Sequence, residues 1–189
     1  PRAYLSQLGI NIPDRPSAAD VAMALAAAYD GAMDGTRKKS NFGEMSQLAL
    51  VSSVTKYLTQ SPADMFPDVR RDVGGALHAL RNKDHFSELT RGFFADFTDR
   101  FTNYFLSKAL ADHVGEGRRF ATTTQMSNFE TAMRLHCHEA SAIVQTFSAD
   151  WYANQHYSKK TDISRSTASK FGWFALEKMK AELSLRAAG

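Results

Sequence analysis

The chain has 189 residues, enough for one domain with a sizeable core, and its hydrophobic content of 43% and charged content of 23% are typical of folded globular proteins. A net charge of +3 is too small to indicate nucleic-acid binding by itself. The single cysteine excludes an intrachain disulfide, and no apolar run approaches the roughly 20 residues of a membrane span. We therefore expect a cytoplasmic protein that does not insert into a membrane.

Residues 1–16 are expected to form an extended N-terminal arm, followed by a single helical domain over residues 17–189. Pro13 and Pro16 fix the backbone and restrict the residues before them. The arm is too apolar for a free tail, so we expect it to lie on the domain or on a protein partner. Its candidate partner-binding residues are Leu5, Leu8 and Ile10.

Helical patterns follow in chain order. Ser17 and Asp20 resemble an N-terminal cap, and an alanine-rich helix is predicted from there to Met33. Further helices are predicted at about 44–58, 68–80, 86–113, 127–152 and 165–186.

The helix predicted at about 86–113 is the element around which the others are expected to pack. Phe93, Phe97, Phe101 and Phe105 recur at four-residue steps and therefore share one face of a helix roughly 45 Å long. The opposite side carries a polar line expected to face water: Glu88, Asp96, Asp99, Asn103 and Ser107. With no strand-like alternation elsewhere, the sequence predicts an all-α, single-domain bundle of five to six helices.

Residues 81–85 read RNKDH, in which an arginine and a histidine are separated by three residues. The stretch resembles the motif of HEPN-type ribonucleases, although that motif has four to six intervening residues. The resemblance implies a metal-independent ribonuclease in which Arg81 binds phosphate and His85 transfers a proton. The alternative is a helix end and turn, in which Asp84 or His85 caps the long helix.

The sequence HCHE at residues 136–139 contains metal-ligand residue types. On a helix, His136 and His138 point about 200° apart, so both cannot bind one ion. A solitary cysteine in a helix is usually a small buried hydrophobic residue. We therefore predict neither a metal site nor a cofactor.

Three predicted loops place adjacent cations beside an aromatic residue. Cations neutralise phosphates and aromatic rings stack on unpaired bases, so these loops are candidate nucleic-acid contacts. Their residues are Arg37, Lys38, Lys39, Phe42, Arg118, Arg119, Phe120, Tyr157, Lys159 and Lys160. The alternative is that they are solvated loops that keep the protein in solution.

Trp151 and Tyr152, at a predicted helix end, and Trp173 either close a core or contact a partner. We take Trp151 as a candidate protein-binding residue. The sequence contains no G-x-S-x-G, P-loop, G-x-G-x-x-G, H-E-x-x-H or CxxC motif.

The leading expectation is a non-enzymatic helical subunit of a larger intracellular assembly. It would contact protein through helix faces and the arm, and RNA or DNA through the basic-aromatic loops. The alternatives are the metal-independent ribonuclease described above and a purely protein-binding adaptor.

Overall fold

The predicted all-α bundle is confirmed. In the computed structural model the described residues are 2–33, 40–59, 72–158 and 163–187. The α-helices are α1 (Arg2–Gln7), α2 (Ala18–Met33), α3 (Asn41–Thr59), α4 (Val73–Ala79), α5 (Lys83–Leu110), α6 (Thr123–Ala140), α7 (Ala142–Ala153) and α8 (Arg165–Ala187). A 3-10 turn, Ala111–His113, follows α5, and a π turn, Asn154–Ser158, follows α7.

The predicted long helix is α5, and it lies at the centre of the bundle. Its 28 residues make it about 42 Å long. It packs against α3, α6 and α7, while α2 and α4 pack on α3 and α8 packs on α6 and α7. The Asn82 side chain accepts a hydrogen bond from the backbone N–H of Asp84 (2.8 Å). The segment therefore forms a helix start, as the alternative to the ribonuclease predicts, but its N-terminal cap is Asn82 and not Asp84 or His85.

Buried side chains fall into three clusters. The first joins α5 to α6, α7 and α8; the second joins α2, α3 and α4; and the third joins α3 to α5. Their buried members are Phe94, Ala140, Val144, Ala175 and Met179; Val21, Val54, Leu58 and Val73; and Met45, Ala49 and Phe97. The central helix contributes fully buried phenylalanines to the first and third clusters, and its half-buried Leu89 packs against the second.

The aromatic stripe of α5 is buried only along part of its length. Phe97 is 4% exposed, whereas Phe101 and Phe105 are 38% and 54% exposed. Since α3 is shorter than α5 and begins at Asn41, its first turn lies opposite Phe97 and Phe101. The last turns of α5 therefore extend beyond the start of α3. The four-residue spacing of the phenylalanines predicts a shared helix face, but it does not predict where along α5 that face is exposed.

The single helix predicted over 127–152 is wrong, because two helices meet at Ser141. The Ser141 side chain is completely buried, and its hydroxyl donates to the carbonyl oxygen of His138 (2.6 Å). A serine hydroxyl bound to the preceding turn competes with the helical backbone pattern and bends the chain. The α6 helix also begins earlier than predicted, because the Thr122 side chain accepts from the Gln125 N–H (3.2 Å) as an N-cap.

The N-terminal arm is helical over Arg2–Gln7, where the sequence predicted extended chain. The helix ends where the Ile10 N–H donates to the Leu5 carbonyl oxygen (2.9 Å). Ile12 packs against the second cluster, so the arm lies on the helical domain, as expected. The prolines at positions 13 and 16 follow this helix and do not restrict it.

The predicted cap at the start of α2 is confirmed. The Ser17 hydroxyl accepts from the Asp20 N–H (3.1 Å), and the Asp20 carboxylate accepts from the Ser17 N–H (2.8 Å). These reciprocal bonds form a capping box. The hydrogen bonds from the Ser17 backbone and side chain hold the pKa of Asp20 below its ordinary value. The predicted helix 68–80 is described only from residue 72 onward, and its helical part is α4.

Replacing Gly172 with alanine is expected to stabilise the fold by about 0.5–1 kcal/mol, because alanine has the higher helix propensity. Gly172 lies within α8, and a Cβ atom there would meet nothing within 4 Å. Gly117 is the matched control. It has equal space but a φ of +74°, so alanine should cost about 1–2 kcal/mol there. Urea denaturation measures both changes, and a destabilised Gly172→Ala protein would contradict the prediction.

Candidate functional site

An open cleft of about 420 Å³ lies between α3, α5, α6 and α7. Its walls carry Ser52, Ser53, Lys56, Tyr57, Glu88, Leu89, Arg91, Gly92, Ala95, Asp96, Asp99, Arg134, His138 and Gln145. At its base, a Cβ atom on Gly92 would lie 3.9 Å from the Ser53 Cβ atom, so α3 and α5 approach closely there. Pockets of this volume commonly bind small molecules.

One part of the cleft contains Lys56 of α3, Arg91 of α5 and His138 of α6. The Arg91 Nη1 donates to the Gln145 side-chain oxygen (3.0 Å), which fixes the guanidinium with a neutral partner. The Arg91 Nε is buried and has no hydrogen-bond acceptor. The pKa of His138 lies below its ordinary value because of burial first, and then because of the positive charges of Arg91 and Lys56.

The acidic residues of the cleft lie on α5. Asp96 pairs with Arg100 (2.8 Å), so a cation already compensates its charge. Asp99 accepts from the Asn103 side-chain amide (2.9 Å), and burial raises the pKa of its carboxyl group, although Arg134 opposes the rise. Three residues of the polar line that was expected to face water, Glu88, Asp96 and Asp99, thus line the cleft.

Replacing Lys56 with glutamine is expected to raise the pKa of His138 towards its ordinary value. The substitution removes one of two cations that oppose protonation of the imidazole, while burial and Arg91 still lower the pKa and Glu139 still raises it. The check is an NMR titration of the His138 ring signals in both proteins. Lys83→Gln, an exposed change at the start of α5, is the matched control. An unchanged His138 pKa in Lys56→Gln would show that Lys56 does not act on this ring.

A second feature is an exposed aromatic patch, which we define as Phe42, Phe101 and Phe105. The Phe42 ring lies 6.3 Å from that of Phe101, which lies 4.9 Å from that of Phe105. Phe42, Phe101 and Phe105 are 49%, 38% and 54% exposed, respectively. Polar groups border the patch: the Lys108 Nζ lies 4.2 Å above the ring centre of Tyr104 and donates to its hydroxyl (2.9 Å). The Asn41 side chain also donates to the Tyr104 hydroxyl.

Two of the three basic loops are described only in part. Arg37, Lys38, Lys39, Lys159 and Lys160, and the side chain of Tyr157, lie outside the described residues. Nucleic-acid contact by these residues therefore stays a prediction. Phe42 is not a loop residue, because it lies in the first turn of α3.

The loop between α5 and α6 is described completely. Arg118 and Arg119 are exposed, and the Arg118 Nη1 donates to the Asp112 carbonyl oxygen (3.0 Å). Phe120 is only 8% exposed and packs 5.4 Å from Phe129. Stacking on a base would require Phe120 to leave this contact, so the loop offers cations to a ligand but no free aromatic face.

The segment 81–85, which resembles the ribonuclease motif, spans the turn between α4 and α5 and the start of α5. Both Arg81 and His85 are exposed. The Arg81 Nη1 lies 3.3 Å from the Nε2 of His78, a histidine outside the motif. The His85 ring instead packs edge-on against Tyr57, with ring centres 6.1 Å apart. The described contacts thus direct the two motif side chains to different partners.

The HCHE segment at 136–139 divides its side chains among separate environments. Cys137 is 1% exposed, and burial raises the pKa of its thiol. His138 lines the cleft, while Glu139 pairs with Arg186 of α8 (3.2 Å). Among the described residues, no three His, Cys, Asp or Glu side chains are placed to hold a metal ion.

The predicted protein-binding residues differ in exposure. Leu8 is 53% exposed, whereas Leu5 and Ile10 are half-buried. The Trp151 ring packs 4.4 Å from that of Phe171, so it helps to close the core beside α8. Partner binding by these four residues stays a prediction.

Sequence reasoning missed the cleft because its residues come from four helices and form no local motif. No helix in the described ranges combines the length and hydropathy needed to cross a bilayer. No protein-family model, curated protein or solved structure matches the chain.

Proposed function

We propose that the chain is a non-enzymatic helical subunit of a larger assembly, and that a protein partner covers the aromatic patch. The observation that carries this proposal is the exposure of Phe42, Phe101 and Phe105 in one continuous series of ring contacts. Contiguous exposed aromatic residues with a polar border resemble the centre and rim of protein interfaces.

Energetics support the same proposal. A phenylalanine that is half exposed leaves roughly 100 Å² of apolar surface in water. Covering it contributes about 2–3 kcal/mol, so the three rings together offer enough apolar surface for an interface centre. Phe42 also touches buried Phe97 at 5.0 Å, which anchors the patch to the core and limits the entropy lost on binding.

The test begins with a photocrosslinking amino acid at position 105 in cells of the native host. The matched control is the same amino acid at position 135, where Leu135 of α6 is 58% exposed and lies outside the patch. We expect one discrete protein adduct at position 105 that disappears when Phe42 is changed to serine. No adduct, or the same adduct from position 135, would contradict the proposal.

The captured partner is then purified and its affinity measured with both proteins alone. Phe105→Ala should weaken binding by about 30-fold or more, whereas Leu135→Ala should leave the dissociation constant unchanged. Sedimentation of the isolated chain completes the test. A dimer that dissociates in Phe105→Ser would assign the patch to a second copy of the chain.

Nucleic-acid contact is a second component of the proposal. The observation in its favour is the position of Arg118 and Arg119, two adjacent exposed cations on a loop closed by the Val114–Phe120 bridge. Such cations would contact phosphate without reading sequence. Replacing both by alanine should lower RNA or DNA affinity equally across sequences and reduce the salt slope by about two units. If replacing Arg118 and Arg119 leaves the RNA and DNA affinity unchanged, this loop does not contact nucleic acid, and the purely protein-binding adaptor is the favoured hypothesis.

The ribonuclease alternative is separated by product analysis in the same binding experiment. It requires cleavage that survives EDTA and is lost in His85→Ala. Intact RNA would favour the non-enzymatic subunit. We place the assembly in the cytoplasm, and the single buried cysteine supports this reducing compartment.

A further inference from the structure

We propose that Lys56, Arg91 and His138 bind the phosphoryl group of a small organic phosphate in the cleft. These side chains come from α3, α5 and α6 and line the same 420 Å³ space, which is larger than a phosphoryl group alone needs. This ligand site is separate from the protein-binding patch and does not depend on it.

The charge of this part of the cleft supports an anion. Among the described residues, no ion pair within 4.0 Å involves Lys56 or Arg91, and the nearest fixed partner of Arg91 is the neutral amide of Gln145. Glu88 is the acid on the same stretch of α5. Asp96 is compensated by Arg100 and lies two helical turns away from Glu88. Glu139 also acts on the His138 ring, but it pairs with Arg186 (3.2 Å). With Asp96 and Glu139 compensated by arginines, the two cations Lys56 and Arg91 outnumber the carboxylate of Glu88 in this part of the cleft.

Hydrogen-bond donors in this part of the cleft are also incompletely used. The Arg91 Nε is buried without an acceptor, and such a group costs free energy until an acceptor reaches it. A small turn of the guanidinium about its Gln145 bond would present its remaining donors to an oxyanion. Burial first, and then the charges of Arg91 and Lys56, lower the pKa of His138 and favour the neutral imidazole, which has one N–H to donate.

The arrangement favours a phosphoryl group over a carboxylate. A tetrahedral dianion accepts hydrogen bonds from several directions, and here donors approach from three helices. A planar carboxylate would be satisfied by the Arg91 fork alone. The Ser52 and Tyr57 hydroxyls line the rest of the cleft and offer contacts to the organic part of the ligand.

The test is an NMR titration with inorganic phosphate, ribose 5-phosphate and acetate, followed through the Arg91 Nε–H signal and the His138 ring signals. Arg91→Lys assigns the arginine signal. We expect both phosphates to shift both sets of signals to saturation, with ribose 5-phosphate binding at least tenfold more tightly. Absence of these shifts, equal shifts with acetate, or equal affinity for both phosphates would overturn the proposal.

Substitutions of exposed lysines test the site without disturbing the fold. Lys56 is exposed, so Lys56→Gln should fold normally and weaken ribose 5-phosphate binding by about tenfold, the effect of losing one charged contact. Lys83→Gln, the same chemical change outside the cleft, should bind like the unmodified protein. Equal weakening in both variants would show only non-specific attraction of anions and would overturn the site.

Discussion

Replacing Phe94 with alanine is expected to lower the free energy of unfolding by about 3–5 kcal/mol. Phe94 is 4% exposed and contacts the rings of Phe93 (5.1 Å) and Phe171 (6.5 Å). The same cluster contains Val144 and Met179 from α7 and α8. The substitution therefore removes a side chain of the central helix that packs with residues of α6, α7 and α8, and it leaves a cavity that rigid neighbours cannot fill.

Urea denaturation followed by far-UV circular dichroism measures this loss. Phe105→Ala is the matched control, since it makes the same chemical change on the same helix at a residue that is 54% exposed. We expect that control to lie within about 1 kcal/mol of the unmodified protein. Equal losses in the two variants would show that the exposed end of α5 is buried in solution.

The second large effect is expected for Leu58→Ala, at about 2–5 kcal/mol. Leu58 is 1% exposed and packs with Val21, Val54 and Val73, which connect α2, α3 and α4. This cluster is separate from the one around Phe94. The substitution therefore tests whether α2–α4 unfold together with the helices around Phe94. A single domain, as predicted, requires that they do.

Tryptophan fluorescence makes that distinction, because Trp151 and Trp173 lie on α7 and α8, outside the Leu58 cluster. In one cooperative unit, Leu58→Ala lowers the fluorescence midpoint as much as the circular-dichroism midpoint. A fluorescence midpoint that stays in place would show that α2–α4 unfold separately. Leu48→Ala, at a residue 48% exposed on α3, is the control with little expected effect.

The fold was largely predictable because apolar spacing and caps are local signals. The Ser17–Asp20 cap and the long aromatic helix both appear as predicted. The bend at Ser141 was not predictable from spacing, because the apolar period continues through it and only the buried hydroxyl bond reveals the break. The prediction of extended chain was wrong for Arg2–Gln7, which form a short helix. Pro13 and Pro16 restrict only the residues near them, and these follow the helix.

The candidate sites were far less predictable. Phe120 reads as an aromatic residue beside two arginines, yet its ring is buried because α6 supplies Phe129 as a neighbour. Lys56, Arg91 and His138 come together only after three helices pack. Lys56 and Arg91 belong to no local motif, and His138 stood out only as a possible metal ligand in the HCHE segment. Charge and ring type can be read along a chain, but convergence and exposure depend on tertiary contacts.

The single thiol is buried, so its reaction with a thiol reagent measures how often α6 separates transiently from the rest of the bundle. Cys137 is 1% exposed, so a thiol reagent reaches it only when α6 separates from its neighbours. The labelling rate without denaturant therefore gives the free energy of that separation. If this value equals the global free energy of unfolding, the helix that carries His138 detaches only when the whole molecule unfolds. A smaller value would mean that one wall of the cleft opens while the rest of the bundle stays folded.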